Sequence, residues 1–464
     1  MAMDLSVESL SRLDKLMVEK FIGIEGYASS SIGIGGVIKE KPDDFKTWEI
    51  LMNGLDARRI YETGREYRVG YGDLTLCVLK KIGIDTIRAS SIISRALGVK
   101  PKMIGFCGIK DKMSISWQFI TTPRGTMSPD GLKIDEIIDI KPVEDTGSKL
   151  TSRSLLKNVF EIKIRRARVD VDEVKRCIEE LKVHGVPNFY GHQRFGITRP
   201  ITAIVGKLIM EDRLEEAVKA FLSAYSPLEG EENRSARMSL RENWDLEDSL
   251  STFPKSLRYE REIMKYLMQK PEDYVGALRT LPIRLRRLMV ESVAALAFNK
   301  ALSRILAEGK LIEPEIGDYV IPLGLGGKPE KDRCVQVRSE NLETVKKLIK
   351  MRRLVIALPV PGYLSNIPKS WKGEALRKAL EELGVEPSMF RVRSLPETST
   401  RGTLRPIIIP RWDIEILSHG EDELLLKLSL PPGSYATIIL REIMKSADPL
   451  AYIGKAPDNL EELG

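Results

Sequence analysis

Cysteine and histidine are scarce in this chain. Its four cysteines, Cys77, Cys107, Cys177 and Cys334, are scattered over 464 residues with no CxxC pair. That pattern argues against a disulfide scaffold or a zinc finger and suits a reducing cytoplasm. Three histidines, His184, His192 and His419, leave little material for a histidine-based metal centre or a Ser-His-Asp triad. No apolar run reaches the roughly 20 residues a membrane helix needs. The opening MAMDLSVESLSRL lacks the basic, apolar, small-residue order of a secretory signal. Internal repeats and low-complexity tracts are missing too.

What remains is the composition of a folded globular protein, 42% hydrophobic and 30% charged. The length predicts two or three domains. A net charge of +7 makes a polyanionic partner one of the options without demanding it.

Texture along the chain predicts an α+β protein. Residues 1–30 read as a helical extension. DTIRASSIISRALGVKP (85–101) predicts an amphipathic helix with Gly98 at its end and Pro101 beyond. NVFEIKIRRAR (158–168) alternates Phe160, Ile162 and Ile164 with charges, as a half-buried strand does. VDEVKRCIEELKVHG predicts a helix closing at Gly185. The middle turns charged and helical, with RLRRLMVESVAALAFNKALSRILAEG and the basic VKKLIKMRR. Strand patterns return in TLRPIIIP, WDIEIL and ELLLKLSL. This predicts residues 31–200 together with 393–464 as one discontinuous domain, interrupted by an inserted α/β domain at 201–392.

Four short stretches carry chemistry. GIGGVIK (33–39) is not a GxxxxGK[ST] phosphate loop and reads as a lead into a strand. IGFCGIKDKMSISWQFITT (104–122) sets Lys110-Asp111-Lys112 between apolar strands. For an arbitrary KDK a solvated turn is the default. Here Gly105 and Gly108 allow close backbone approach, and nearby cations favour an ionised carboxylate able to act as nucleophile or base. GVPNFYGHQRFGITRP (185–200) interleaves Asn188, Phe189, Tyr190, Gln193, Arg194 and Phe195 between glycines. That suits stacking on bases and pairing with phosphate, or a loop pinned to the core by its aromatics. His192, without an obvious partner, reads as structural. LPPGSYATIILREIMK (430–445) predicts a strand end and a helix, with Ser434 as N-cap and Tyr435 at the helix mouth.

Together these stretches resemble the TruD family of tRNA pseudouridine synthases. IKEKPDDFKTWEI is similar to the family's N-terminal Lys and Pro-Glu-Asp-Phe segment. GIKDKMSISWQ resembles GxKDKxAxTxQ, GVPNFYGHQRFG resembles NxFGxQRFG, and LPPGSYATIILRE resembles PxGSYATxxLRE. All four fall in family order from Lys39 to Glu442. Ser114 and Ser116 depart from the usual Ala and Thr, and Thr47-Trp48 from a Val-containing stretch. The resemblance implies a pseudouridine synthase fold with a mixed, largely antiparallel sheet flanked by helices. It implies Asp111 as the catalytic nucleophile, Lys39 as its partner and Tyr190 beside the target base. Phe45, Asn188 and Tyr435 would contact the nucleotide, and Gln193 and Arg194, in the loop of Asn188, are further substrate-binding candidates. It implies isomerisation of a flipped uridine, uridine 13 of tRNA, by a cytoplasmic monomer with no metal, nucleotide cofactor or membrane partner. Rival readings are a non-catalytic RNA-binding or RNA-folding protein that keeps the pocket, a nucleotide-dependent enzyme, and an insertion that serves protein partners. The basic helices, Arg286 and Arg287 among them, are expected to grip RNA phosphates.

Overall fold

The computed structural model describes residues 5–446 and 448–454. Side-chain alternation builds its centre. In the segment Leu74–Ile82, successive side chains point to opposite faces. Cys77 and Leu79 enter one apolar layer, and Leu76 and Val78 another. A strand apolar on both faces needs cover on both. The helix Ala57–Thr63 supplies Ala57 and Ile60 on one side, and the helix Thr86–Ala96 supplies Ala89 and Ile93 on the other. Asp56 and Asp85 cap these helices by accepting a backbone N–H three residues on. Gly98 follows the second in the left-handed region, φ +66°.

The main sheet has ten strands. They are β1 (Gly35–Val37), β2 (Phe45–Leu51), β3 (Leu74–Ile82), β4 (Gly105–Phe106), β5 (Ile115–Pro123), β6 (Leu132–Ile134), β7 (Ile138–Thr146) and β8 (Leu155–Ala167), then β13 (Asp413–His419) and β14 (Glu423–Leu430). Their order is β13-β14-β8-β2-β5-β3-β7-β6, with β1 also on β8 and β4 on β5. Only β2 with β5 runs parallel; every other pair is antiparallel. In β8, Ile162 and Ile164 enter the largest core, Phe160 packs at its margin, and Val159 serves the opposite face. A second sheet, order β10-β9-β11-β12, joins β9 (Tyr319–Pro322), β10 (Val335–Gln336), β11 (Leu354–Val360) and β12 (Thr403–Pro406).

Residues 5–30 are not an appendage. They hold two short helices, Val7–Ser11 and Val18–Phe21, and bury Leu10, Leu13, Phe21, Ile22 and Ile24 in the largest core. The helix Ala436–Met444 straps them down. Arg441 donates to both oxygens of Glu19, at 2.7 and 2.8 Å. Glu442 accepts the N–H groups of Ala28 and Ser29, and Lys445 Nζ donates to the carbonyls of Ser29 and Ser31. The glycines that follow meet backbone directly: a Cβ on Gly33 would lie 2.7 Å from the Met444 carbonyl, and one on Gly36 2.8 Å from that of Arg165.

Between residues 202 and 307 the chain is helical, ending in the long helix Ile283–Ala307. The charged stretch around residue 237 is not a solvated tract. Arg199 and Arg237 are buried together with Glu229 and Glu260. The chain after β12 hooks onto the loop that follows the helix Val171–His184. The Ile407 carbonyl accepts the Asn188 N–H at 2.9 Å, and the Ile409 N–H donates to the Val186 carbonyl at 2.9 Å. Among the described residues, no helix is long and apolar enough to cross a membrane and no His/Cys/Asp/Glu cluster could hold a metal ion.

Candidate active site

The loop between β4 and β5 carries Asp111, and the fold grips that loop from beneath. Lys81, near the end of β3, donates from Nζ to the carbonyls of Ile84 (2.6 Å), Lys110 (3.2 Å) and Asp111 (2.9 Å). Thr86 Oγ1 accepts the Lys110 N–H at 2.8 Å. Ser114 Oγ donates to the Asp111 carbonyl at 2.7 Å. With its main chain held on all these contacts, Asp111 presents its carboxylate outward. The side chain lies deep within the fold, yet 36% of its surface stays accessible. It therefore sits at the floor of an open recess.

Two side chains touch the carboxylate. Lys39 Nζ donates to Oδ2 at 2.5 Å, and Gln193 Nε2 to Oδ1 at 3.3 Å. Burial alone would raise the Asp111 pKa. The Lys39 ammonium, then Lys81 and the Gln193 amide, outweigh it and hold the carboxyl below the usual carboxylate range. Lys39 itself is buried and adopts φ +57°, a strained conformation of the kind that clusters at functional sites. Its ammonium lies 4.3 Å from the Phe45 ring centroid, and Phe45 in turn packs 5.8 Å from Phe160. Its stem is pressed by Gly454, where a Cβ would sit 2.7 Å from Lys39 Cδ.

The neighbouring lysine takes another direction. Lys110 Nζ reaches 2.6 Å to Glu49 Oε1, and Glu49 is fully buried on β2. The cations that keep Asp111 ionised are thus Lys39 and Lys81, not the Lys110 of its own turn. Gly105 also serves the protein rather than a ligand: a Cβ there would lie 2.3 Å from Thr121 Oγ1.

The wall beside the recess is organised by Arg405 of β12. Its guanidinium donates to the Asn188 carbonyl (3.0 Å), Asn188 Oδ1 (2.7 Å), and the carbonyls of Phe189 and Gly433 (both 3.3 Å). It lies 4.1 Å from the Tyr190 ring centroid and 6.0 Å from that of Tyr435. The Asn188 amide is buried and held from both ends, its Nδ2 donating to the Pro406 carbonyl at 3.0 Å. Tyr190 is half-buried, edge-on to Phe298 at 5.8 Å. Asn299, in the middle of the long helix, clamps the Tyr190 main chain, accepting its N–H at 2.8 Å and donating to its carbonyl at 3.0 Å. Arg194 pairs with Glu291 at 2.8 Å and covers the Tyr190 ring at 5.4 Å. Gly191 faces Tyr435; its Cβ would lie 3.8 Å from that ring. Ser434 is not the helix cap. Tyr435 takes the N-cap position, with no side-chain hydrogen bond. His192 is buried edge-on to Tyr452, and burial pushes its pKa down to about 4. It is a neutral structural residue.

The four motif segments thus meet around one recess. A family model described as tRNA pseudouridine synthase D (TruD) matches residues 21–443. The chain belongs to this family. TruD relatives align along nearly the whole chain. A "Probable tRNA pseudouridine synthase D" of Methanococcoides burtonii is 34% identical over 441 residues, 92% of this chain and 97% of the relative. One of Pyrococcus abyssi is 33% identical, covering 90% and 98%. The solved structure of a TruD protein from Methanosarcina mazei superposes with a TM-score of 0.76 at 32% identity, covering 94% of this chain and 99% of that one. The fold is a pseudouridine synthase fold, and the chain is a tRNA pseudouridine synthase, an isomerase.

Four residues of the TruD site escape motif reading: Lys81, Arg405, Glu49 and Asn299. Lys81 had a signal. It falls on the face of β3 that Cys77 and Leu79 make apolar, so a lysine there is buried by register. Arg405 interrupts an equally apolar run.

Proposed function

We propose that the chain isomerises a uridine of tRNA, uridine 13 by family resemblance, with Asp111 as the nucleophile. The observation that carries this reading is an ionised carboxylate held at the floor of an accessible recess, 2.5 Å from a buried lysine. Isomerisation breaks the C1′–N1 glycosidic bond, turns the base and forms C1′–C5. The C5 proton leaves and N1 gains one, so atoms balance without an oxidant or co-substrate. A uridine inside folded RNA must leave its stack first, which costs a few kcal/mol. Tyr190 and Tyr435 supply apolar surface for the extruded nucleotide, and stacking returns on the order of 1–3 kcal/mol; Phe45, buried beneath the Lys39 ammonium, backs that lysine beside the nucleotide. Lys39 keeps Asp111 charged once the nucleotide excludes water. Gln193, on the other carboxylate oxygen, sets its rotation. Arg194 covers Tyr190, and Asn188, bound through Arg405, shapes the wall.

Asp111→Asn is nearly isosteric and removes the charge. It abolishes pseudouridine formation in purified tRNA while affinity for that tRNA stays within a few-fold. Appreciable turnover by the variant would overturn the assignment. Formation of pseudouridine by the wild type also separates an enzyme from an RNA-binding protein that merely keeps the pocket.

A further inference from the structure

Lys81 is fully buried, and its ammonium makes three hydrogen bonds, all to main-chain carbonyls. Burying an ammonium is unfavourable unless it is fully bonded. A methionine or leucine would serve the apolar face of β3 better. The three carbonyls explain the choice of lysine, because two of them belong to Lys110 and Asp111 and the third closes the adjoining turn at Ile84. Charged groups face it from two loops: Asp85 from the turn after β3, and Lys110 and Asp111 from the loop before β5. Lys39 lies across the Asp111 carboxylate. β5 and β7 present Ser116 and Ile138 opposite Lys81.

We propose that Lys81 is a positioning residue for the isomerisation: it gathers the carbonyls of Ile84, Lys110 and Asp111 and thereby fixes where the Asp111 carboxylate meets the flipped uridine. The inference rests on Asp111 being the catalytic group. It differs from the role of Lys39, which touches the carboxylate itself. Lys81 acts through the peptide behind the carboxylate, and adds a second positive charge that favours the ionised form. Burial pulls the pKa of the ammonium down to about 8, against the attraction of Asp111 and Asp85.

The test is Lys81→Met, assayed in single turnover at saturating enzyme on the tRNA that the wild type modifies. The rate falls ten- to a hundredfold at neutral pH, the Kd for tRNA stays within twofold, and the acid limb of the rate profile moves to higher pH. A structural filler would lower thermal stability and leave that limb in place. A wild-type rate or an unmoved limb overturns the inference. Should Lys81→Met not fold, Lys81→Gln, which is uncharged but keeps a shorter donor, is assayed the same way: a lowered rate at unchanged tRNA affinity supports the inference, and a wild-type rate overturns it. Asp111→Asn run alongside separates the two failures. Turnover by that variant sinks the reading of Asp111, whereas an inactive Asp111→Asn beside an unperturbed Lys81→Met sinks only the role of Lys81.

Discussion

Lys110 and Glu49 form a closed pair 2.6 Å apart, with Glu49 Oε2 also accepting the Phe119 N–H at 2.9 Å. The pair turns the lysine that precedes Asp111 away from the recess and into the sheet. Removing one partner of such a pair strands the other as a buried charge. Lys110→Met therefore lowers stability by about 3–5 kcal/mol, measured by urea unfolding. Where the variant remains folded, the pH dependence of its isomerisation rate matches the wild type, because the Lys110 charge is spent on Glu49 and is not among the charges that lower the Asp111 pKa. A shifted profile would return Lys110 to the catalytic centre.

Lys39→Met slows isomerisation more than it weakens tRNA binding. The cation beside Asp111 opposes the upward push of burial on its pKa. Without that cation the carboxylate forms only at higher pH, so the acid limb of the rate shifts upward. An unchanged limb would make Lys39 a phosphate contact instead.

Arg286 and Arg287 do not present two free charges to RNA. Arg286 is buried, pairs with Glu397 and donates to the Leu281 carbonyl at 3.1 Å. Arg287 is exposed but donates to the Glu397 carbonyl at 2.8 Å. The expectation that both grip phosphates gives way to one of helix anchoring. Arg286→Ala costs about 1–3 kcal/mol of stability. It leaves the slope of log affinity for tRNA against log salt unchanged, where a lost phosphate contact would flatten it by roughly one unit.

His192 gives a stability signature. Its folded pKa is lowered to about 4 from 6.5. Between those values the unfolded chain binds a proton that the folded one refuses, so stability falls as pH falls through the window. The slope from this residue reaches about 1.4 kcal/mol per pH unit. His192→Phe keeps the edge-on packing against Tyr452 and flattens the midpoint-against-pH curve between pH 6.5 and 5. An undiminished slope would show that His192 is charged in the folded state.

What could be read from sequence followed how local each determinant is. The helix ending before Gly98, the alternation of β8 and the Asp111 turn are set by neighbouring residues, and the structure has them. The union of Lys39 with Asp111 came from motif order, which stands in for distance along a chain of known fold; Gln193 was expected on the nucleotide, and its bond to the Asp111 carboxylate was not legible. The direction of Lys110 was illegible because Glu49 decides it, a carboxylate on another strand whose burial no local pattern marks. Arg286 looked like a free charge because Glu397 lies in a different segment. Ser434 is a good capping residue in isolation, but the Pro-Gly turn places the helix start one residue later. The first thirty residues read as an extension because their attachment, Glu19 to Arg441, joins opposite ends of the chain.

That attachment has a consequence for how the enzyme is made. β14 closes the edge of β8, and the helix after it supplies Arg441 to Glu19 and Glu442 to Ala28. A ribosome delivers both only at the end of synthesis. Until then β8 presents an unpaired edge, a site prone to wrong pairing, and Glu19 has no counter-ion. Lys39 lies just beyond the same unanchored stretch. The Lys39–Asp111 pair thus draws on both ends of the chain: a nascent chain halted before residue 423 holds the Asp111 loop and the β1–β8 pairing that leads into Lys39, but lacks Gly454, which packs on the Lys39 stem.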